Sequence, residues 1–238
     1  MSDRYAVIGN PVAHSKSPLI HAEFARATGQ DIHYGRIEAP LDAFAQSVEL
    51  FHAAGGKGLN VTLPFKQQAF ALCGEASERA RVAKAANTLV LDRSYCDNTD
   101  GVGLVRDITL NLGQDLKGKR LLLLGAGGAA QSVVGALLEA GAAQLTIANR
   151  TVPKALELAA RFPGASGCGY DALSGESFDV VINATAYNKV DAAEVEEARK
   201  RARARREEKI ADESHAALNA SIVRSLAHLP VHKRPRQP

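Results

Sequence analysis

The chain has 238 residues, 46% hydrophobic and 23% charged, enough to bury a sizeable core in one large or two modest domains. No apolar run approaches the roughly 20 residues of a membrane helix, and the opening MSDRYAVIGN lacks a basic-then-apolar secretory plan, so no membrane partner and a cytoplasmic location are expected. The net charge of +3 is unevenly spread: residues 1–188 carry 17 Lys and Arg against 18 Asp and Glu, and residues 189–238 carry 12 against 8.

In chain order, the first strand is predicted at YAVIG (5–9), followed by a serine-bearing loop and an amphipathic helix over SPLIHAEFARATG (17–29). IHYGRIE (32–38) is the next strand, then a helix over DAFAQSVELFHAAGG (42–56). Both helices end in glycine, where a C-cap needs positive φ. Strands follow at GLNVT (58–62), TLVLD (88–92), RLLLLG (120–125), QLTIAN (144–149) and DVVINAT (179–185). Short β-rich runs alternating with helical patterns predict an α/β fold of β/α units on a largely parallel sheet.

A seam falls at NLGQDLKGKR (111–120), where glycines and charges separate two sets of units. We therefore expect an α/β domain over 1–112, a Rossmann-type domain over 113–188 and a tail over 189–238. The tail holds RKRARARR (Arg199–Arg206) inside a stretch, Glu196–Lys209, that has no apolar stripe and cannot bury itself. Beyond it, Leu218, Ile222, Val223, Leu226 and Leu229 could share one helix face. Cys73, Cys96 and Cys168 are odd in number and outside any C-x-x-C pattern. They read as buried or incidental thiols, with neither a disulfide framework nor a metal site.

The most specific local signal is KRLLLLGAGGAAQSVVGALLEAG (119–141), an apolar strand running into G-x-G-x-x-A and then a helix. Gly125 allows the tight turn, Gly127 lets backbone approach a pyrophosphate, and Ala130 keeps helix close to strand. The free N–H groups of the helix start, at Gly128 and Ala129, suit phosphate. At the end of the next strand an acidic residue would take ribose hydroxyls, but this chain has Asn149, Arg150 and Thr151. A guanidinium fits a phosphate monoester, so NADP is favoured over NAD, with Arg150 as the one evident cation at the ribose end.

Four motifs of the first domain extend the pattern: GNPVAHSKSP (9–18), NVTLPFK (60–66), AANTLV (85–90) and DNTDGVG (97–103). Together with LLGAGGAA, ANRT and NATA, their order and spacing closely resemble the shikimate dehydrogenase family over about Tyr5 to Ala186. The resemblance implies reversible NADPH-dependent reduction of 3-dehydroshikimate to shikimate in a cleft between two domains, in aromatic amino acid biosynthesis. It implies a substrate site of Ser15, Ser17, Thr62, Lys66, Asn87 and Asp100, with Lys66 and Asp100 as the catalytic pair. It implies cofactor contacts from Gly125, Ala126, Gly127, Gly128, Ala129, Asn149, Arg150, Thr151, Asn183, Ala184 and Thr185.

Those residue types suit the chemistry. A polyhydroxylated ring acid needs hydroxyl and amide partners, and a carbonyl receiving hydride builds negative charge that an ammonium can stabilise and protonate. His14 and His21 are rival acid–base groups, but His14 precedes the serine loop and His21 lies within the first helix. Lys84 stands where the family has glycine before AxNT, Cys96 replaces a glycine before DNTDG, and the family pattern is lost after NATA. Two readings compete: a ligand-binding homologue whose catalysis went with those C-terminal segments, and a dehydrogenase acting on quinate. Glutamates flanking the basic run and a near-neutral body argue against nucleic acid as a partner. The chain is compatible with a homodimer.

Overall fold

The computed structural model describes residues 2–185. The charged stretch 196–209 and the apolar face from Leu218 to Leu229 lie outside them.

Two sheets carry the described chain. In the first, β1 (Asp3–Gly9) is flanked in parallel by β2 (Ile32–Glu38) and β3 (Gly56–Val61). Helices α1 (Ser17–Thr28) and α2 (Phe44–Ala53) make the crossovers that parallel pairing demands. Gly29 closes α1 with φ 68, the left-handed cap expected of it. Ala6, Val7 and Ile8 of β1 are all buried, which explains the unbroken apolar run of a strand covered on both faces.

The expected parallel order holds for only half of this sheet. β5 (Thr88–Val90) pairs antiparallel with β3, and β6 (Tyr95–Asp97) pairs antiparallel with β5. Only a short turn, Leu91–Arg93 and then Ser94 at φ 47, joins β5 to β6, too few residues for a crossover. The two-residue β4 (Glu75–Ala76) adds at the edge, giving the order β2-β1-β3-β5-β6-β4. Between β3 and β5 lie β4 and two short helices, α3 (Lys66–Leu72) and α4 (Glu78–Ala83).

The second sheet is wholly parallel: β7 (Arg120–Leu124), β8 (Gln144–Ala148), β9 (Ala165–Cys168) and β10 (Val180–Asn183), in the order β10-β7-β8-β9. Helices α6 (Gly128–Glu139) and α7 (Val152–Ala160) follow β7 and β8. Each sheet has its own core. Ile8, Leu59, Val61, Phe44 and Phe65 form the first, with the two phenyl rings stacked at 4.8 Å. Leu121, Leu123, Val134, Leu137, Leu145 and Ile147 form the second.

Helix α5 (Asp100–Arg106) leaves β6 of the first sheet yet packs on the second core through Leu104 and Val105, with Ile108 just beyond it. Its approach to α6 is close: a Cβ placed on Gly101 would lie 2.6 Å from the Ser132 carbonyl oxygen. Only glycine fits there.

Two departures noted in the sequence have structural outcomes. Cys73 and Cys96 are not independent thiols: with Cα atoms 5.8 Å apart they form a disulfide from the end of α3 to β6, a pairing that three scattered cysteines could not reveal. Lys84 caps α4 at φ 50, a left-handed conformation that costs a lysine about 1 kcal/mol more than a glycine. Lys84→Gly should therefore raise the urea midpoint by the equivalent of about 1 kcal/mol. An unchanged midpoint would show the cap to be unstrained.

Candidate active site

Parallel strands bring their loops to one edge, where ligands of open α/β sheets gather. The loops after β1 and β3 lie side by side: Asn10 N–H donates to the Leu63 carbonyl and Thr62 N–H to the Ile8 carbonyl, each at 2.9 Å. In the first loop Ser15 Oγ donates to Ser17 Oγ at 3.1 Å, and the Arg36 guanidinium pins the Ser15 carbonyl with bonds of 2.6 and 3.0 Å. The helix cap falls on Lys16 with no side-chain bond of its own, while Ser15 Oγ also accepts the N–H of Ser17, the first residue of α1, at 3.3 Å.

The loop after β3 carries Thr62 and then anchors itself with Phe65, which is fully buried. Lys66 opens α3, and its Nζ donates to Asp100 Oδ2 at 2.6 Å. The lysine side chain is 12% exposed and the aspartate 27%, so the ion pair is largely shielded. Asn87 Nδ2 donates to the other carboxylate oxygen at 2.8 Å and to Thr99 Oγ1 at 2.9 Å, while Thr99 N–H donates to Asn87 Oδ1 at 3.0 Å. Lys66, Asp100 and Asn87 are thus one hydrogen-bonded unit, with Thr62 in the loop that leads to it.

Tyr34 and Asn60, not picked out in the sequence, and His21, named there only as a rival acid–base group, adjoin this unit. Tyr34 Oη donates to Asn60 Oδ1 at 2.6 Å, and His21 stacks on the Tyr34 ring at 4.1 Å. Burial pushes the Tyr34 phenol up to about 12, a hydrogen bond with Ser17 opposing it. Burial also holds His21 below the usual histidine range, against a hydrogen bond with Asn60. Both groups are neutral near pH 7. The signal for Asn60 was its place two residues before Thr62; Tyr34 and His21 meet only through the β1–β2 register and the packing of α1.

The second sheet presents its own strand ends nearby. Gly125 adopts φ +104, and a Cβ there would come within 3.0 Å of the Ala184 carbonyl oxygen, so the glycine loop and Asn183-Ala184-Thr185 are in contact. Asn183 Oδ1 accepts from Thr185 N–H at 3.0 Å and from Thr185 Oγ1 at 2.6 Å, which shapes that turn. Gly125 N–H donates to the Ala148 carbonyl at 2.8 Å, bringing Asn149, Arg150 and Thr151 alongside. The α6 N-cap, Gly127, is extended and carries no side-chain cap, so the first N–H groups of a 12-residue helix face the loop. Gly125, Ala126, Gly127, Gly128 and Ala129 thus form a cradle suited to a pyrophosphate.

A groove of about 290 Å³ runs from this loop along α7, lined by Gly127, Gln131, Lys154 and Arg161. Lys154, in the first turn of α7, and Arg161 bring two cations to this groove, whose lining does not include Arg150. The two halves of the site meet at Lys66, whose Cβ would lie 3.6 Å from a Cβ built on Gly128, and at Gln67, which donates to Gln131 Oε1 at 3.0 Å.

Beneath Asp100 the loop is set by Asp97, which receives bonds from Ser77, Arg79 and its neighbour Asn98 N–H. The Arg79 guanidinium holds the Asp97 carboxyl below the usual aspartate range, against its partial burial. A depressed carboxylate adds stability above its unfolded value, near pH 4, and loses it as pH falls through the folded value. Arg79 is half-exposed, so the pair is worth no more than about 1 kcal/mol. Arg79→Gln should lower the urea midpoint at pH 7, and the gap from wild type should shrink as pH falls below the unfolded value near 4 and through the depressed folded value. A gap that persists at the acid end would assign the loss to packing instead.

Comparison with known proteins agrees with this geometry. Residues 7–89 match the model of the shikimate dehydrogenase substrate binding domain, and residues 107–212 match that of shikimate / quinate 5-dehydrogenase. The second match runs past Ala186, where the motif resemblance stops. The chain is 58% identical over 190 residues to shikimate dehydrogenase (NADP(+)) of Chromobacterium violaceum, spanning 78% of this chain and 70% of the relative. The corresponding enzyme of Halorhodospira halophila is 54% identical over 189 residues, with 78% and 70% covered. A Thermus thermophilus shikimate 5-dehydrogenase solved with NADP(H) and shikimate is 34% identical, with a TM-score of 0.69 over 77% of this chain and 68% of that one. Among the described residues no helix is long and apolar enough to cross a membrane. A part-buried Lys–Asp–Asn unit set against a glycine-rich cradle, in a chain 58% and 54% identical to the Chromobacterium and Halorhodospira enzymes, places the chain in the shikimate dehydrogenase family.

Proposed function

We propose that this protein is an NADP-dependent dehydrogenase that interconverts 3-dehydroshikimate and shikimate, with Lys66 and Asp100 as its catalytic pair. The observation that carries the reading is the Lys66 Nζ–Asp100 Oδ2 bond of 2.6 Å, placed against the glycine loop by the contact between Lys66 and Gly128. Residues up to 112 would hold the substrate and residues 113–188 the cofactor, with α5 joining the two.

The glycine loop, the uncapped α6 terminus and the cations Arg150 and Lys154 fit a dinucleotide bearing an extra phosphate. When bound as NADPH, that group supplies hydride to a carbonyl carbon. The chain's own residues do the rest. The Lys66 ammonium meets the negative charge that develops on the carbonyl oxygen and delivers a proton to it. Asp100 orients the ammonium and accepts from a substrate hydroxyl, itself fixed by Asn87. Ser15, Ser17 and Thr62 offer hydroxyls to the ring acid from the two neighbouring loops. In the reverse direction Lys66 takes up the hydroxyl proton as the carbonyl forms.

Initial rates read from reduced-nicotinamide absorbance, with shikimate or quinate and NADP+ or NAD+, test the proposal. Turnover fastest with shikimate and NADP+ supports it. Binding of NADP+ without any turnover would support the ligand-binding reading, and faster turnover of quinate would reassign the substrate; a Corynebacterium glutamicum quinate dehydrogenase solved with NAD, 28% identical with a TM-score of 0.69 over 77% of this chain and 71% of its own, keeps quinate in the assay.

Cofactor choice gives a further prediction. Arg150→Asp should weaken NADP+ far more than NAD+, since charge-assisted bonds to a phosphate are worth roughly 1.5 to 3 kcal/mol, or about ten- to a hundredfold. Lys154→Ala should act in the same direction and more weakly. Equal losses for both nucleotides in a calorimetric titration would show that Arg150 does not read the phosphate.

A further inference from the structure

Asn98 is 2% exposed, the most deeply buried polar side chain among the described residues. Its amide is bonded on every side. Nδ2 donates to the Ala85 carbonyl and to Ser132 Oγ, both at 2.8 Å, and Oδ1 accepts the Asp100 N–H at 3.1 Å. Ser132, also buried, passes the connection on by donating to the Gly128 carbonyl at 2.7 Å. One amide therefore joins three segments: the loop that carries Asn87, the first residue of α5, and the first residue of the nucleotide-binding helix. No substrate role falls on Asn98, because it lies behind Asp100 rather than beside it.

We infer that Asn98 is a positioning residue that fixes Asp100 relative to the nucleotide cradle, with Ser132 as its relay. The inference rests on the function proposed above. A buried amide is held by all its partners together, and removing one leaves the others unsatisfied. The bridge thus favours a single arrangement of α5 against α6. The Asp100 carboxylate keeps its bonds to Lys66 and Asn87 whatever happens behind it, so substrate affinity should survive loss of the bridge. What should not survive is the alignment between the Lys66–Asp100 pair and the cofactor, which hydride transfer needs to within a fraction of an ångström.

The test uses the full chain with Asn98→Ala and Ser132→Ala. Both should lower kcat for shikimate with NADP+, roughly ten- to a hundredfold for Asn98→Ala, while KM for shikimate moves by no more than about threefold. The deuterium isotope effect from C4-labelled reduced cofactor on 3-dehydroshikimate reduction should rise, because hydride transfer itself is slowed. Independently of turnover, amide hydrogen exchange over Asp100–Arg106 should quicken in Ser132→Ala, which removes no hydrogen bond of α5. Should Asn98→Ala fail to fold, the milder Ser132→Ala decides. Wild-type kcat and exchange in Ser132→Ala would overturn the inference, and so would a kcat loss with an unchanged isotope effect, which means fewer folded molecules. A wild-type chain without turnover overturns the functional reading instead; the exchange result then still decides whether the bridge holds α5.

Discussion

Lys66→Ala is expected to lower kcat with shikimate and NADP+ by about a hundredfold or more, the contribution usual for a positioned acid that also stabilises charge. The NADP+ dissociation constant should barely change, because Lys66 touches the nucleotide cradle only through its aliphatic stem near Gly128. Asp100→Asn should cost both turnover and shikimate affinity, since the proposed function has Asp100 orient the ammonium and accept from a substrate hydroxyl. The double variant should lose less than the two single losses combined, as residues acting as a unit do. The 2.6 Å bond between the two side chains is the physical basis for that non-additivity. Near-normal kcat in Lys66→Ala would remove this lysine from the catalytic pair.

Gly101→Val is expected to be strongly destabilising although it alters no chemical group of the site. A Cβ at this position meets the backbone oxygen of Ser132 at 2.6 Å and the Ala136 Cβ at 2.9 Å, and neither can move without shifting α6. Overpacking of this kind costs about 3 kcal/mol, a fall in Tm of roughly 6 to 12 °C for a domain of this size. Because Gly101 follows Asp100, the protein that does fold should also turn over slowly. Thermal unfolding of Gly101→Ala and Gly101→Val, side by side, checks the argument: the loss should grow with side-chain size, and equal, small shifts would show that α5 and α6 have room between them.

The parts of the fold legible in the sequence are those set by local rules. Gly29 and Gly55 end helices at positive φ, and the apolar run at 121–123 marks a strand buried on both faces. The glycine loop announced its strand, turn and helix together. What escaped depends on contacts between distant residues. β6 is three residues long and gains its identity only by pairing back on β5. That hairpin brings Asp100 to Lys66 across 34 positions, so the pair could be named from family motifs but not from spacing. The Cys73–Cys96 link, the Tyr34–Asn60 bond and the Asn98 bridge are likewise products of the assembled sheet. Lys154 was missed for a simpler reason: it sits in the first turn of a helix, and only the helix direction shows that it lines the groove.

The measurement that tests the central claim most directly is the fate of the hydride. Full-length protein supplied with 3-dehydroshikimate and NADPH deuterated at the transferred position of C4 should yield shikimate carrying one deuterium on the carbon that was the carbonyl, detected by mass spectrometry, and the yield should collapse in Lys66→Ala. Unlabelled 3-dehydroshikimate recovered unchanged, from protein that binds the cofactor and is fully folded, would contradict the account.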